Sequence, residues 1–433
     1  MGRTLGSSLS FQLTGWAWIV LSSLLGLASF IGIVRGSPLP PWLRLLHVHG
    51  TLVGGMIQIL IGLALASNEL LHPEAKRAGR PGLLLGLNLA AIGLAVGSSQ
   101  RHTYATLGAG ILLIAVLAPL LRHIAVGVRT WPGWNTVSAF VFGLALLGLI
   151  GSLLLGLWLA GLWFPEWHGL LRLGHIHVGL LLSLVLLVLG AIQLGVPLLL
   201  NTPLKSPGLG QATLFLVPAC MAGLLTGFLL TAVQIQLAAG AGLCVVLSLY
   251  AVNLFRTWAQ AGQSGSMATD HLMTAVCFLV VTTIMGLAVG YNALSTPPAM
   301  PYGTLHLVAY THAGFVGFLL QALAGGMTAI LPPLLAGSRV ASNKKRPAYR
   351  AELEGLMNRW RVLQIFSLSF GTLGLALVAA LTWNMPLTSP MIQGTAWVSF
   401  GLLLSHFTLV TVKLTQVVGS NPAHEKSGHD HAS

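Results

Sequence analysis

Histidine recurs inside the apolar stretches of this chain in a pattern that suits ligation of a metal ion or a heme iron. His47-Val48-His49, His175-Ile176-His177 and Tyr310-Thr311-His312 each interrupt a hydrophobic run. With His49, His177 and His312 aligned, a glycine follows thirteen residues later in all three, at Gly62, Gly190 and Gly325. Neutral imidazole is the commonest protein metal ligand, and an ionisable side chain inside a membrane span usually marks a functional site. A single such histidine is more often a hydrogen-bonding residue between helices. Three in one register reverse that weighting, and intervals of 128 and 135 residues point to a threefold internal repeat built around ligation.

The elements that position these residues are membrane helices. Of the 433 residues only 7% are Asp, Glu, Lys or Arg, 55% are hydrophobic, and the mean hydropathy is +0.84. A soluble domain carries about 25% charged residues. Apolar runs of about twenty residues, the length that crosses a hydrocarbon core of roughly 30 Å, recur throughout. The composition predicts an all-α polytopic membrane protein, because an open sheet cannot satisfy its backbone in lipid. Twelve spans are expected: Leu13–Val34, Leu45–Ser67, Gly82–Ser98, Thr103–Leu121, Val137–Leu162, Leu173–Leu200, Gln211–Gln234, Leu237–Leu254, Leu272–Gly290, Leu305–Leu335, Val362–Leu381 and Met391–Val412. The first is too long for a signal-peptide core and reads as a retained span. The histidine motifs fall on the second, sixth and tenth spans, dividing the twelve into three sets of four. The expected repeats cover residues 13–125, 135–258 and 269–416 of one membrane domain (1–416), with a polar tail at 417–433.

Basic residues predict the orientation. With the N-terminus cytoplasmic, seventeen of the 21 Lys and Arg fall inside and only Arg35, Arg44, Arg101 and Arg172 outside. This positive-inside bias places both termini in the cytoplasm of a cell bearing an inner membrane. The histidine motifs then lie near the outer face. The +13 formal charge reflects topology and contact with anionic lipid rather than nucleic-acid binding.

Residues i and i+2 sit about 200° apart on a helix, so both histidines of one motif cannot easily hold one ion. Ligation must therefore pair residues from different helices. A low-spin heme needs two imidazoles on opposite faces of the macrocycle, which histidines at equal depth on facing helices supply. Arg44 and Arg172, at the outer ends of their helices, suit charge-assisted bonds to heme propionates.

The tenth span, His312-Ala313-Gly314-Phe315-Val316-Gly317 with Gly325, Gly326 and Pro332, resembles the tenth helix of subunit I in the heme–copper oxidase superfamily. The similarity is greatest to the cbb-type oxidase and nitric oxide reductase branch. Leu43-Arg44-Leu45-Leu46-His47 also resembles the start of the cbb-type second helix. The resemblance implies a twelve-helix, three-times-four architecture with ligands on helices two, six and ten. It implies that His312 binds a low-spin b-type heme, with a partner on the second helix. That partner is His49 by the internal repeat, which the register of Gly62 favours, or His47 by the family's local motif. His177, with His175 two residues before it, matches the sixth-helix histidine that binds the non-heme metal.

Departures from the family bear on activity. Tyr310 stands where the family carries the proximal histidine of its high-spin heme, and the seventh span, Leu214 to Met221, lacks the family's adjacent histidine pair. A three-histidine copper site cannot be assembled from the matching positions, so copper and a second heme remain open. No carboxylate lies deep in a span, and Asp270 sits only at a helix end. His271, His406, His306, His102, His123 and His168 read as structural or interfacial residues, and the tail from His424 to His431 as a polar segment. Cys220, Cys244 and Cys277 are isolated. Three functions follow: an electron-transfer subunit of a respiratory complex, served by partner subunits or by a cytochrome or cupredoxin donor; an oxygen or nitric oxide reductase with an altered site; or a heme- or metal-handling transporter.

Overall fold

The computed structural model describes residues 7–72, 80–161, 163, 165–262, 265–294 and 303–422. All regular structure among them is helical. Twelve helices are long and apolar enough to cross a membrane: Ser8–Val34, Trp42–Leu71, Pro81–Ser99, Thr103–Val128, Thr136–Ala160, Pro165–Leu200, Pro207–Leu229, Val233–Gln260, Met267–Asn292, Thr304–Arg339, Arg361–Leu381 and Pro390–Gly419. The chain is an all-α multi-pass membrane protein. Every expected span is present, most extended by a few residues. The one misplaced break lies between the seventh and eighth spans. Thr231 adopts a left-handed φ of 51°, so Gln234 opens the eighth span instead of closing the seventh. The tail from residue 423 onward and Arg3, Lys76, Arg77 and Lys426 of the charge count lie outside the described residues.

The first helix of each four-helix set starts on a side-chain cap. Ser7 Oγ accepts from Ser10 N at 3.3 Å, Asn135 Oδ1 from Ser138 N at 3.0 Å, and Ser266 Oγ from Thr269 N at 3.2 Å. Each satisfies one backbone donor that the helix cannot pair itself. The three sets close into a ring, since the fourth span packs on the fifth, the eighth on the ninth and the twelfth on the first. The second, sixth and tenth spans stand toward the middle, and the tenth touches both of the others. Because the number of spans is even, the two ends of the described chain lie on one side, the terminal side. The histidine motifs lie near the start of their spans, on the opposite or histidine side.

The three central spans share a local irregularity. Each is α-helical through its last motif residue, ending at His49, His177 and His312, and then widens into eight residues of π-helix: Gly50–Ile57, Val178–Val185 and Ala313–Leu320. Such widened turns concentrate at functional sites. Below them, the three aligned glycines approach the same place on the preceding first helix. A Cβ on Gly62 would sit 2.9 Å from Ser8 O, one on Gly325 3.0 Å from Ala268 O, and one on Gly190 3.2 Å from a methyl of Val141. Small residues let membrane helices pack this closely.

The expected basic loop from Arg339 to Arg361 contains a further helix, Arg346–Asn358. Its Tyr349, Leu353 and Met357 are spaced by four and buried as one stripe. Arg339 Nη1 donates to Tyr349 Oη at 2.8 Å and its Nη2 to Val418 O at 2.7 Å, so one guanidinium caps the carbonyl end of the last span.

Candidate histidine ligand sites

The motif histidines fall into two structurally equivalent groups. In the first, each ring is tied to its own helix: Nδ1 of His49, His177 and His312 donates to the carbonyl four residues earlier, at Leu45 (3.0 Å), Leu173 (2.9 Å) and Val308 (2.8 Å). In the second, each ring is tied to the preceding helix: Nδ1 of His47 donates to Ser22 O at 2.6 Å and that of His175 to Ser152 O at 2.8 Å. A carbonyl can only accept, so all five imidazoles carry their hydrogen on Nδ1 in the neutral form. Nε2 is left as an open lone pair, the arrangement by which second-shell acceptors orient ligating histidines. All five rings are half-buried rather than sealed.

The second group rests on residues that the sequence reading passed over. Ser22 with Gly26, Ser152 with Gly156, and Thr282 with Gly286 recur at a constant interval of 130 residues on the first helix of each set. A Cβ on Gly26 would lie 2.4 Å from His47 Cε1, one on Gly156 3.0 Å from His175 Cε1, and one on Gly286 3.3 Å from the Tyr310 ring. Glycine is what lets each ring come in against the helix. Tyr310 thus occupies in the third set the place of His47 and His175. The visible signal was a Ser/Thr-x-x-x-Gly pattern, a small-residue spacing common in membrane helices.

Across the ring of helices, His47 faces His312. Their ring centroids are 6.1 Å apart and their planes differ by 7°. Near-parallel rings at this distance are within the range of an offset stack. The distance is also the separation expected of two imidazoles on opposite sides of one iron, given metal–nitrogen bonds of roughly 2 Å and about another 1 Å from nitrogen to ring centre. The chemistry of the donors fits the same group, two neutral imidazoles with free Nε2 atoms.

Of the two expected second-helix partners of His312, His47 is the one whose ring lies opposite it, while the His49 ring is tied to Leu45 on its own helix. The shared hydrogen bonds, π-helices and glycine contacts recur at equivalent positions in the three sets. Equivalent residues of a cyclic arrangement point into equivalent, separate clefts; a head-to-tail interface brings together different surfaces of its two sides. A facing pair must take one residue from each group. His49 instead lies within electrostatic range of His175. His177 packs against Phe228, centroids 4.4 Å apart.

The expected non-heme metal at His177, with His175 beside it, gains no partners. The two rings are turned to different neighbours, and no group of three or more His, Cys, Asp or Glu able to hold a metal ion occurs among the described residues. Arg44 and Arg172 stand one turn above His47 and His175 respectively, on the same helix faces, and both are exposed. An apolar cleft of about 610 Å³ between the fifth, sixth and seventh spans includes Phe228 in its wall but no ionisable side chain.

His271 and His406 occupy a separate place on the terminal side of the third set. His271 Nδ1 donates to Gln321 Oε1, and its Nε2 accepts from Gln364 Nε2 at 3.0 Å. His406 Nδ1 donates to Gln364 O at 3.1 Å. Lys413 Nζ donates to Gln364 Oε1 at 2.8 Å, Met357 O at 3.0 Å and Met267 Sδ at 3.2 Å. The expected structural role of the two histidines fits these bonds, while the buried lysine joining them was not foreseen. No protein-family model matches the chain, and no curated protein matches it in sequence.

Proposed function

We propose that this protein is a heme-binding integral membrane subunit resembling subunit I of the heme–copper oxidases. In this reading His47 and His312 hold one low-spin b-type heme, and the protein serves electron transfer in a respiratory complex. The observation that carries the proposal is the His47–His312 pair: two near-parallel rings 6.1 Å apart on facing helices, each with Nδ1 engaged and Nε2 free. The heme, when bound, supplies a one-electron redox couple. The chain's own residues set its ligation. Ser22 O and Val308 O fix both ring orientations and raise ligand basicity. Gly26 admits the His47 ring, and Arg44, one turn above, offers a guanidinium to a propionate.

The basic-residue bias supports an inner-membrane protein with both termini cytoplasmic and the histidines near the outer face. An electron donor on that side, a cytochrome or cupredoxin, or a partner subunit then reaches the site over a short distance. Electron transfer is favoured over oxygen or nitric oxide reduction because Tyr310 fills the proximal position and Phe228 packs on His177.

The test is a reduced-minus-oxidised spectrum with heme quantification on the purified protein. A low-spin b-type signal is expected, and either His47→Ala or His312→Ala should remove the component that this pair ligates. Absence of heme from the wild-type protein, or a signal indifferent to both substitutions, would sink the proposal. Cysteines introduced at Gly36 and Ser342 are expected to label from opposite sides of the membrane; labelling of both from outside would overturn the orientation.

A further inference from the structure

The ring of three four-helix sets has three junctions, and the His47–His312 pair joins the first set to the third. Rotating that relation by one set joins His175 of the second set to His49 of the first. Rotating again joins Tyr310 of the third to His177 of the second. We infer that the His49–His175 cleft is a second bis-imidazole site, built to take a second b-type heme, and that Arg172 serves its propionate as Arg44 serves the first. This inference rests on the heme reading above and extends it to a site for which the resemblance offers no counterpart.

Four independent features of the second cleft repeat those of the first. His175 donates its Nδ1 hydrogen to Ser152 O as His47 does to Ser22 O, from serines 130 residues apart. Gly156 admits the His175 ring as Gly26 admits that of His47. His49 is pinned to Leu45 O as His312 is to Val308 O, so both candidate ligands again present a free Nε2. Arg172 stands three residues before His175, as Arg44 stands three before His47. The repeat relation that carries His47 onto His175 and His312 onto His49 brings the second pair to the same relative position as the measured first pair. The pair has no third His, Cys, Asp or Glu near it among the described residues. Two imidazoles alone suit the axial positions of a porphyrin iron better than a tetrahedral zinc or copper ion, which would need further protein ligands.

The third cleft shows what the absence of this design looks like. Tyr310 holds the place of the cross-helix histidine, the arginine position is Leu307, and Phe228 lies against His177. Two clefts are built alike and one is altered.

The experiment is heme quantification by the pyridine hemochrome method on full-length protein, with low-temperature optical and EPR spectra of wild type, His312→Ala, His175→Ala and His175→Met. Two hemes per chain are expected. His312→Ala should remove one low-spin component and His175→Ala the other. His175→Met keeps an axial ligand, so a variant that merely misfolds is distinguished from one that changes ligation. It should retain two hemes with one low-spin component shifted in the optical and EPR spectra, as a change of ligand does. One heme per chain, lost in His312→Ala and untouched in His175→Ala and His175→Met, would overturn the second site and leave the first standing. No heme in the wild type would overturn both.

Discussion

Histidines occupy two layers of this protein and behave differently in each. On the histidine side, five imidazoles have Nδ1 tied to a carbonyl while Nε2 stays open in a half-buried cleft. On the terminal side, His271 and His406 are fully buried and both ring nitrogens of His271 are consumed, one by Gln321 and one by Gln364. Lys413 completes that cluster with three acceptors, matching the three hydrogens of an ammonium group. His406 Nε2 is the only ring nitrogen of the two buried histidines without a hydrogen-bond partner. The contrast separates two uses of one residue type. A membrane histidine is a ligand candidate when its second nitrogen faces open space, and part of the scaffold when its hydrogen bonds close on other side chains. The first layer repeats around the ring; the second is built in the third set, and Phe11 and Val141 hold the positions equivalent to His271 in the first and second sets.

The difference predicts that substitutions in the two layers are read by different instruments. The largest effect should come from Gly26→Val, because the first added carbon would already sit 2.4 Å from His47 Cε1. The ring must leave, and one low-spin component should vanish; a spectrum that survives intact would break the account of the first cleft. Gly156→Ala, at 3.0 Å, should perturb the second component less severely.

Gln364→Leu should leave the spectrum unchanged and destabilise the fold by about 3–5 kcal/mol, because it strips a buried lysine of its shortest hydrogen bond. A lowered unfolding midpoint in detergent is the check, and a bleached spectrum with an unshifted midpoint would invert the comparison. Lys413→Met removes the charge along with its bonds, and should cost less, about 1–3 kcal/mol, by orphaning the acceptors. A larger loss than in Gln364→Leu would show that the lysine is held by more than these three contacts. Arg350→Ala, which breaks an exposed pair with Glu354 one turn away, should shift the midpoint by the equivalent of less than about 0.5 kcal/mol.

Much of this architecture was legible in the sequence because lipid leaves few options. Span number and helicity follow from runs of apolar residues with almost no charge, and the register of the three motifs follows from His-to-Gly spacing. What was not legible depended on relations between helices. Which second-helix histidine stands opposite His312 is one such relation: spacing along the chain reveals the equivalence of His49 and His312 and says nothing of which surfaces meet. The π-helices escaped notice because a widened turn changes the hydrogen-bond partner without changing composition. The helix Arg346–Asn358 is hidden by its four arginine and glutamate residues, although Tyr349, Leu353 and Met357 mark its buried stripe. Lys413 reads from the sequence as one of the seventeen cytoplasmic-side cations, since sequence alone does not show that Gln364, Met357 and Met267 converge on it.

The widened turns carry a historical consequence. A π-helix arises most simply when one residue is inserted into an α-helix that cannot afford to lose the packing on either side of it. Here the widened turn stands at the same place three times, directly after the aligned histidine. Three separate insertions at one position are far less economical than a single event in one ancestral four-helix chain. That chain would have met two copies of itself as a cyclic trimer, with three identical clefts. On this view Tyr310, Leu307 and the buried cluster around Lys413 are later departures, acquired once the three copies were joined and free to diverge.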